Sequence, residues 1–138
     1  MKVISRIVLA AFFFVVGATA ASAQPFPNPI VRYVSQHPSL GGIQVNLTVV
    51  NWNAYAPVFF TQQPPPCGVT PLSSRTWVDT FNAQTNAHLN GFCVFNSPSD
   101  LQKIWFFTMP ATKPKAVYVV LWDRRANKKV KSNIVKIP

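Results

Sequence analysis

The clearest pattern in the chain is a strict alternation from Ile43 to Val49. Ile43, Val45, Leu47 and Val49 are apolar, and Gln44, Asn46 and Thr48 between them are polar. A period of two places one set on each face of a strand. Other short apolar stretches punctuated by turn residues follow the same logic. Ile30–Gln36 reads as a first strand and His37–Gly42 as a turn cluster. Arg75–Asn82 and His88–Phe95 read as a hairpin joined through Ala83–Ala87. Ile104–Thr108 is a further strand. Ala116–Trp122 is apolar on both faces and predicts a central strand. Lys131–Ile137 returns beside it after a polar turn.

Between the strands lie two kinds of interruption. Asn53–Leu72 holds Pro57, Pro64, Pro65, Pro66 and Pro71, and consecutive prolines remove the donors a central strand needs. Val58–Thr61 is expected to add a short edge strand there. Ser97-Pro98-Ser99-Asp100 carries a helix-start signal, with a capping serine, proline at the first helical position and an acid three residues on. One helical turn is expected.

About seven strands with almost no helix predict an all-β, two-layer antiparallel β-sandwich. The alternating early strand, the capped turn at Ser97–Asp100 and the closing hairpin Val117–Ile137 give Ile30–Ile137 an order that resembles an immunoglobulin-like or fibronectin type III-like domain. The resemblance implies a sandwich fold and no particular activity, because such folds host many functions. Cys67 lies in the proline-rich stretch and not in an early strand, a departure from true immunoglobulin domains.

The amino-terminal residues set the compartment. Lys2 and Arg6 precede an apolar run from Ile7 to Val16, and Ala21-Ser22-Ala23 closes it. This is the layout of a cleaved secretory signal peptide, too short to span a bilayer comfortably. The expected organisation is a signal peptide over 1–23 and one sandwich domain over 24–138. The mature domain is then exported to the periplasm or the extracellular space, with no transmembrane segment. In such a compartment Cys67 and Cys93 read as one disulfide, worth about 3–4 kcal/mol in the chain-entropy model.

Charge adds a candidate surface. The formal charge is +10 and falls to +8 without Lys2 and Arg6; the acids are Asp79, Asp100 and Asp123. Arg124, Arg125, Lys128, Lys129 and Lys131 crowd the last hairpin turn, where they can grip anionic groups or simply be solvated. The partner classes this suggests are anionic polysaccharide, a lipid surface or another exported protein; nucleic acid is disfavoured. Tyr55, Phe59 and Phe60 form a second candidate, either an exposed aromatic platform or a loop packed on the sandwich end. Trp52, Trp77, Trp105 and Trp122 lie on or beside strands and are expected mostly in the core.

Catalytic signals are sparse. No nucleophile elbow, zinc-protease or phosphate-loop motif is present. His88 and Asp79 are expected to face each other across the hairpin as a surface pair, with Gly91 making room for an aromatic ring. No metal-ligand spacing exists, and no cofactor is implied. The expectation is a non-catalytic binding module. A structural accessory of the envelope, and a small hydrolase or enzyme inhibitor, are the alternatives.

Overall fold

The computed structural model describes residues 24–61, 74–93 and 95–138. Within them, two antiparallel sheets enclose one core. The strands are β1 (Val31–Ser39), β2 (Gly42–Val49), β3 (Thr76–Asn82), β4 (His88–Phe92), β5 (Ile104–Thr108), β6 (Ala116–Asp123), β7 (Lys128–Lys131) and β8 (Val135–Lys136). One sheet has the order β1-β2-β5. The other runs β4-β3-β6-β7, with β8 also paired to β6. Among the described residues the only helical pieces are short 3-10 turns, so the all-β, two-sheet reading holds, with eight strands instead of about seven.

The alternation of β2 does what its pattern requires. Val45, Leu47 and Val49 are buried and face Ile104 and Phe106 of β5 as neighbours in the same inner surface. The second sheet contributes Val78, Val117, Val119, Leu121, Val130 and Val135. β6 is central, flanked by β3 on one side and by β7 and β8 on the other, in keeping with its apolar residues on both faces. The β1–β2 turn is tighter than the His37–Gly42 cluster suggested. Leu40 and Gly41 alone connect the strands, at φ of 45° and 79°, the two left-handed positions of a type I′ hairpin.

The last strand is broken, and side chains repair it. β7 pairs Lys131 with Val120, whereas β8 pairs Val135 with Val117, so the register slips by one residue between them. At the slip the Val119 N–H donates to Ser132 Oγ at 2.8 Å. The freed Asn133 reaches across to the other sheet. Its Oδ1 accepts from Val31 N at 2.8 Å and its Nδ2 donates to Val31 O at 2.9 Å. One amide side chain thus satisfies both backbone groups of the first residue of β1.

Of two local expectations, one needs correction and one holds. Val58–Thr61 is not an edge strand; Pro57–Phe60 forms a 3-10 turn, with proline at its first position, where no donor is needed. The turn at Pro98–Gln102 does form, and Asp100 Oδ2 accepts from the Asn96 and Ser97 N–H groups at 2.8 and 3.2 Å. The expected signal peptide and Cys67 lie outside the described residues.

Candidate anion-binding face

The five basic residues of the last hairpin do not form one cluster. Period-two geometry divides them. Lys129 and Lys131 lie opposite Trp122 and Val120 on the outer face of the larger sheet. Lys128 lies opposite buried Asp123 and turns toward the other side, lining a cleft with Gln24, Phe26, Phe59 and Arg75. Arg125 sits exposed at the tip. Arg124, just past the end of β6, folds over the outer face.

That outer face is aromatic. Trp77 pairs directly with Trp122, and Phe81 with Tyr118, across β3 and β6. The tryptophan rings meet edge to face at 5.7 Å; the Phe81 and Tyr118 rings stack at 5.3 Å with 15° between planes. Each pair carries cations. The Arg124 guanidinium lies 4.7 Å from the Trp77 ring centre, Lys129 Nζ 4.9 Å from Trp122, and Lys131 Nζ 3.9 Å from Tyr118. These distances fall inside the range at which a ring quadrupole attracts a cation, worth about 0.5–1 kcal/mol per exposed contact. The rings therefore favour positions of these basic side chains over the outer face.

The tryptophans overturn an expectation. None of the four is fully buried, although Trp52 packs against the core. Trp77 and Trp122 are half-buried on the outer face, Trp52 is half-buried, and Trp105 is 39% exposed. The inner face of β3 is instead Thr76, Val78 and Thr80. Thr76 is tolerated there because its Oγ1 donates to the Phe59 carbonyl at 2.7 Å. Tyr55, Phe59 and Phe60 are 2%, 2% and 4% exposed, which removes them as an exposed platform. Phe26 of the lead-in packs on Tyr55 and Phe59, and the Tyr55 hydroxyl donates to Pro27 O at 2.6 Å. Burial pushes the Tyr55 hydroxyl far above its ordinary pKa.

Of the three aspartates, Asp79 lies on this same outer face, between Trp77 and Phe81 and opposite Val120, the partner of Lys131; the other two are engaged elsewhere. Asp123 accepts from Arg75 Nε and a terminal guanidinium nitrogen at 2.6 and 2.8 Å, a two-point contact. Asp123 also accepts from the Arg125 and Ala126 N–H groups, which shapes the hairpin tip. Burial alone would raise the Asp123 carboxyl. The Arg75 bond and the two backbone donors outweigh it and hold the carboxyl below its usual range. Arg75 is raised in turn, chiefly by its bond to Asp123. Asp100 caps its turn. Asp79 Oδ1 lies 2.9 Å from His88 Nε2.

The Asp79–His88 pair forms as expected, on an open sheet surface with the His88 side chain 53% exposed. Gly91 serves this pair and not an aromatic ring: a Cβ there would stand 2.9 Å from Asp79 Oδ1 and 3.5 Å from His88 Nε2. Among the described residues no group of three or more His, Cys, Asp or Glu could hold a metal ion, and no helix is long and apolar enough to cross a membrane. The chain matches no family model, no curated protein and no solved structure.

Proposed function

We propose that this protein is an exported, non-catalytic binding domain that holds an acidic polysaccharide on the outer face of its β4-β3-β6-β7 sheet. The carrying observation is the seating of Lys129 and Lys131 on Trp122 and Tyr118. The two lysines are alternate residues of one strand, and the rings that seat their ammonium groups lie four residues apart on β6. The ring contacts bias their stems toward this face, which lowers the entropy lost when an anion binds. A row of cations along an open sheet surface suits an extended chain of carboxylates better than a compact ligand, which would want a concave pocket; Asp79 on this face is paired with His88. Lys136 continues the row, because its partner Ala116 lies on the same face as Tyr118.

The A-x-A-like site after the apolar run supports export, and the strand order supports a fibronectin type III-like arrangement. The Cys67–Cys93 bridge belongs to the same reading. Ser74 donates its N–H to Cys93 O at 2.6 Å, which sets Ser74 beside Cys93.

Retention on immobilised polygalacturonate tests the function. The protein should bind at low salt, and Lys129→Gln with Lys131→Gln should elute earlier. Arg32→Gln removes a charge from the opposite sheet and should elute with the parent. Equal elution of all three would discard the reading.

A further inference from the structure

The opposite outer face carries different chemistry. Trp105 and Phe107 project from β5, 39% and 36% exposed, and their cross-strand neighbours on β2 are Asn46 and Gln44. Gln44 Nε2 donates to Asn46 Oδ1 at 2.9 Å, and Asn46 Nδ2 donates to Ser35 Oγ at 3.1 Å. A ladder of planar amides and a hydroxyl thus runs beside two exposed rings.

Trp105 is held in place. Its ring meets Phe92 nearly edge to face at 4.9 Å, and its carbonyl accepts from Asn90 Nδ2 at 3.0 Å. It also divides two clefts. One, of about 350 Å³, lies on the side of Phe92, Ser99 and Asp100. The other, of about 490 Å³, lies on the side of Ser35, Gln44 and Asn46. Gln102 and Lys103 line both.

We propose that Trp105 and its flanking amides form a second binding site, for a neutral polysaccharide of flat pyranose units. An indole face suits the apolar C–H face of such a ring, as aromatic side chains with one wet side suit amphipathic partners. Each amide offers two donors and a carbonyl with two lone pairs. Asn46 Nδ2 also lies 3.4 Å from His37 Nδ1, so the spare capacity is mostly Gln44's carbonyl and second donor, which suit vicinal hydroxyls, since these both donate and accept. Asp100 and Lys103 line the first cleft together, so their charges offset and favour an uncharged unit. Clefts on both sides of one ring fit consecutive units of a chain. This site shares no residue with the cationic face and lies on the other side of the sandwich, so both can be filled at once.

Native cathodic gels cast with hydroxyethylcellulose, xylan or galactomannan test the proposal. At least one polymer should retard the protein. Trp105→Ala should weaken that binding at least about tenfold, the discrimination expected when a stacked ring is lost. Lys129→Gln with Lys131→Gln should leave it unchanged, which separates this site from the acidic-polysaccharide reading. Gln44→Ala with Gln102→Ala should weaken the same binding without touching the ring, and serves if the Trp105 variant does not fold. Unchanged mobility in all three gels, or equal retardation of the parent and both site variants, overturns the proposal. So does self-association that Trp105→Ala abolishes in the absence of any polymer effect, which would assign the face to a second copy.

Discussion

The ammonium of Lys131 lies 3.9 Å from the centre of the Tyr118 ring, and that ring stacks in turn on Phe81. Tyr118 is fixed at its far end as well, since its hydroxyl donates to Asn86 Oδ1 at 3.0 Å. Asn86 holds a left-handed turn conformation, φ 59°, which asparagine accepts more readily than most residues. Asn86 and Phe81 thus fix the Tyr118 ring on which one surface cation, Lys131, sits.

Tyr118→Leu should uncouple that cation without removing it. Stability should fall by about 1 kcal/mol, from the lost cation contact and ring stack. Polygalacturonate affinity should fall although net charge is unchanged. Urea unfolding and binding titrations on the same variant check the two halves separately. Full affinity in Tyr118→Leu would mean that charge alone, and not its seating, makes the surface.

The Arg75–Asp123 pair should dominate the acid sensitivity of the fold. Asp123 is 2% exposed and Arg75 15%, so removing one partner strands a desolvated charge. Asp123→Asn should cost about 3–5 kcal/mol. The carboxyl is depressed in the folded state, so its contribution is complete above the ordinary aspartate pKa of about 3.9. It is lost as pH falls through the lower folded value. Urea midpoints measured from pH 6 to pH 2 should drop steeply in the parent and more shallowly in Asp123→Asn. Parallel curves would remove Asp123 from this role.

Asn133→Ala should unfasten the first strand. Both backbone groups of Val31 lose their partner, at a cost of about 1–3 kcal/mol. Amide exchange at Val31 should quicken, while exchange in the β3–β6 pair follows only the global change. Unaltered protection at Val31 would show that the amide clamp is dispensable.

Much of this architecture was legible in the residues. β2 and β5 declare themselves, the first by strict alternation and the second by its short apolar run, and Ser97-Pro98-Ser99-Asp100 announces its turn. The outward direction of Trp77, Phe81, Tyr118 and Trp122 was not legible. A strand pattern defines two faces without saying which is inner. Here the more aromatic set faces out, because cations cover it and because Thr76 finds a carbonyl inside. The same ambiguity hid Trp105: Ile104–Thr108 has no charged residue to mark its solvent side. The basic run Arg124–Lys131 marked the last hairpin. Its division between Lys128 and Lys129 depended on the pairing register with β6, which composition does not contain.

Gly42 marks a close approach that its sequence context, a turn cluster, did not distinguish. A Cβ there would stand 2.3 Å from Phe107 Cζ and 2.8 Å from the Thr108 carbonyl oxygen. Gly42→Ala should therefore cost about 1–3 kcal/mol, as overpacked positions do. Phe107→Ala in the same chain should recover only part of the loss, because the backbone contact persists. Thermal unfolding of both variants checks this. A neutral Gly42→Ala would place the β5 edge farther from the hairpin.

The most direct test of the cationic face is the salt dependence of polygalacturonate binding by the purified protein, the Lys129→Gln/Lys131→Gln variant and the Arg32→Gln control. Exposed charges are screened within about 10 Å at 0.1 M salt. Parent affinity should therefore fall steeply as salt rises. The double variant should bind roughly tenfold more weakly at low salt, about 0.7 kcal/mol per charge removed, and show a shallower salt slope. Arg32→Gln should track the parent. A double variant with the parent's affinity and slope would contradict the assignment of the β4-β3-β6-β7 face as the anion-binding surface.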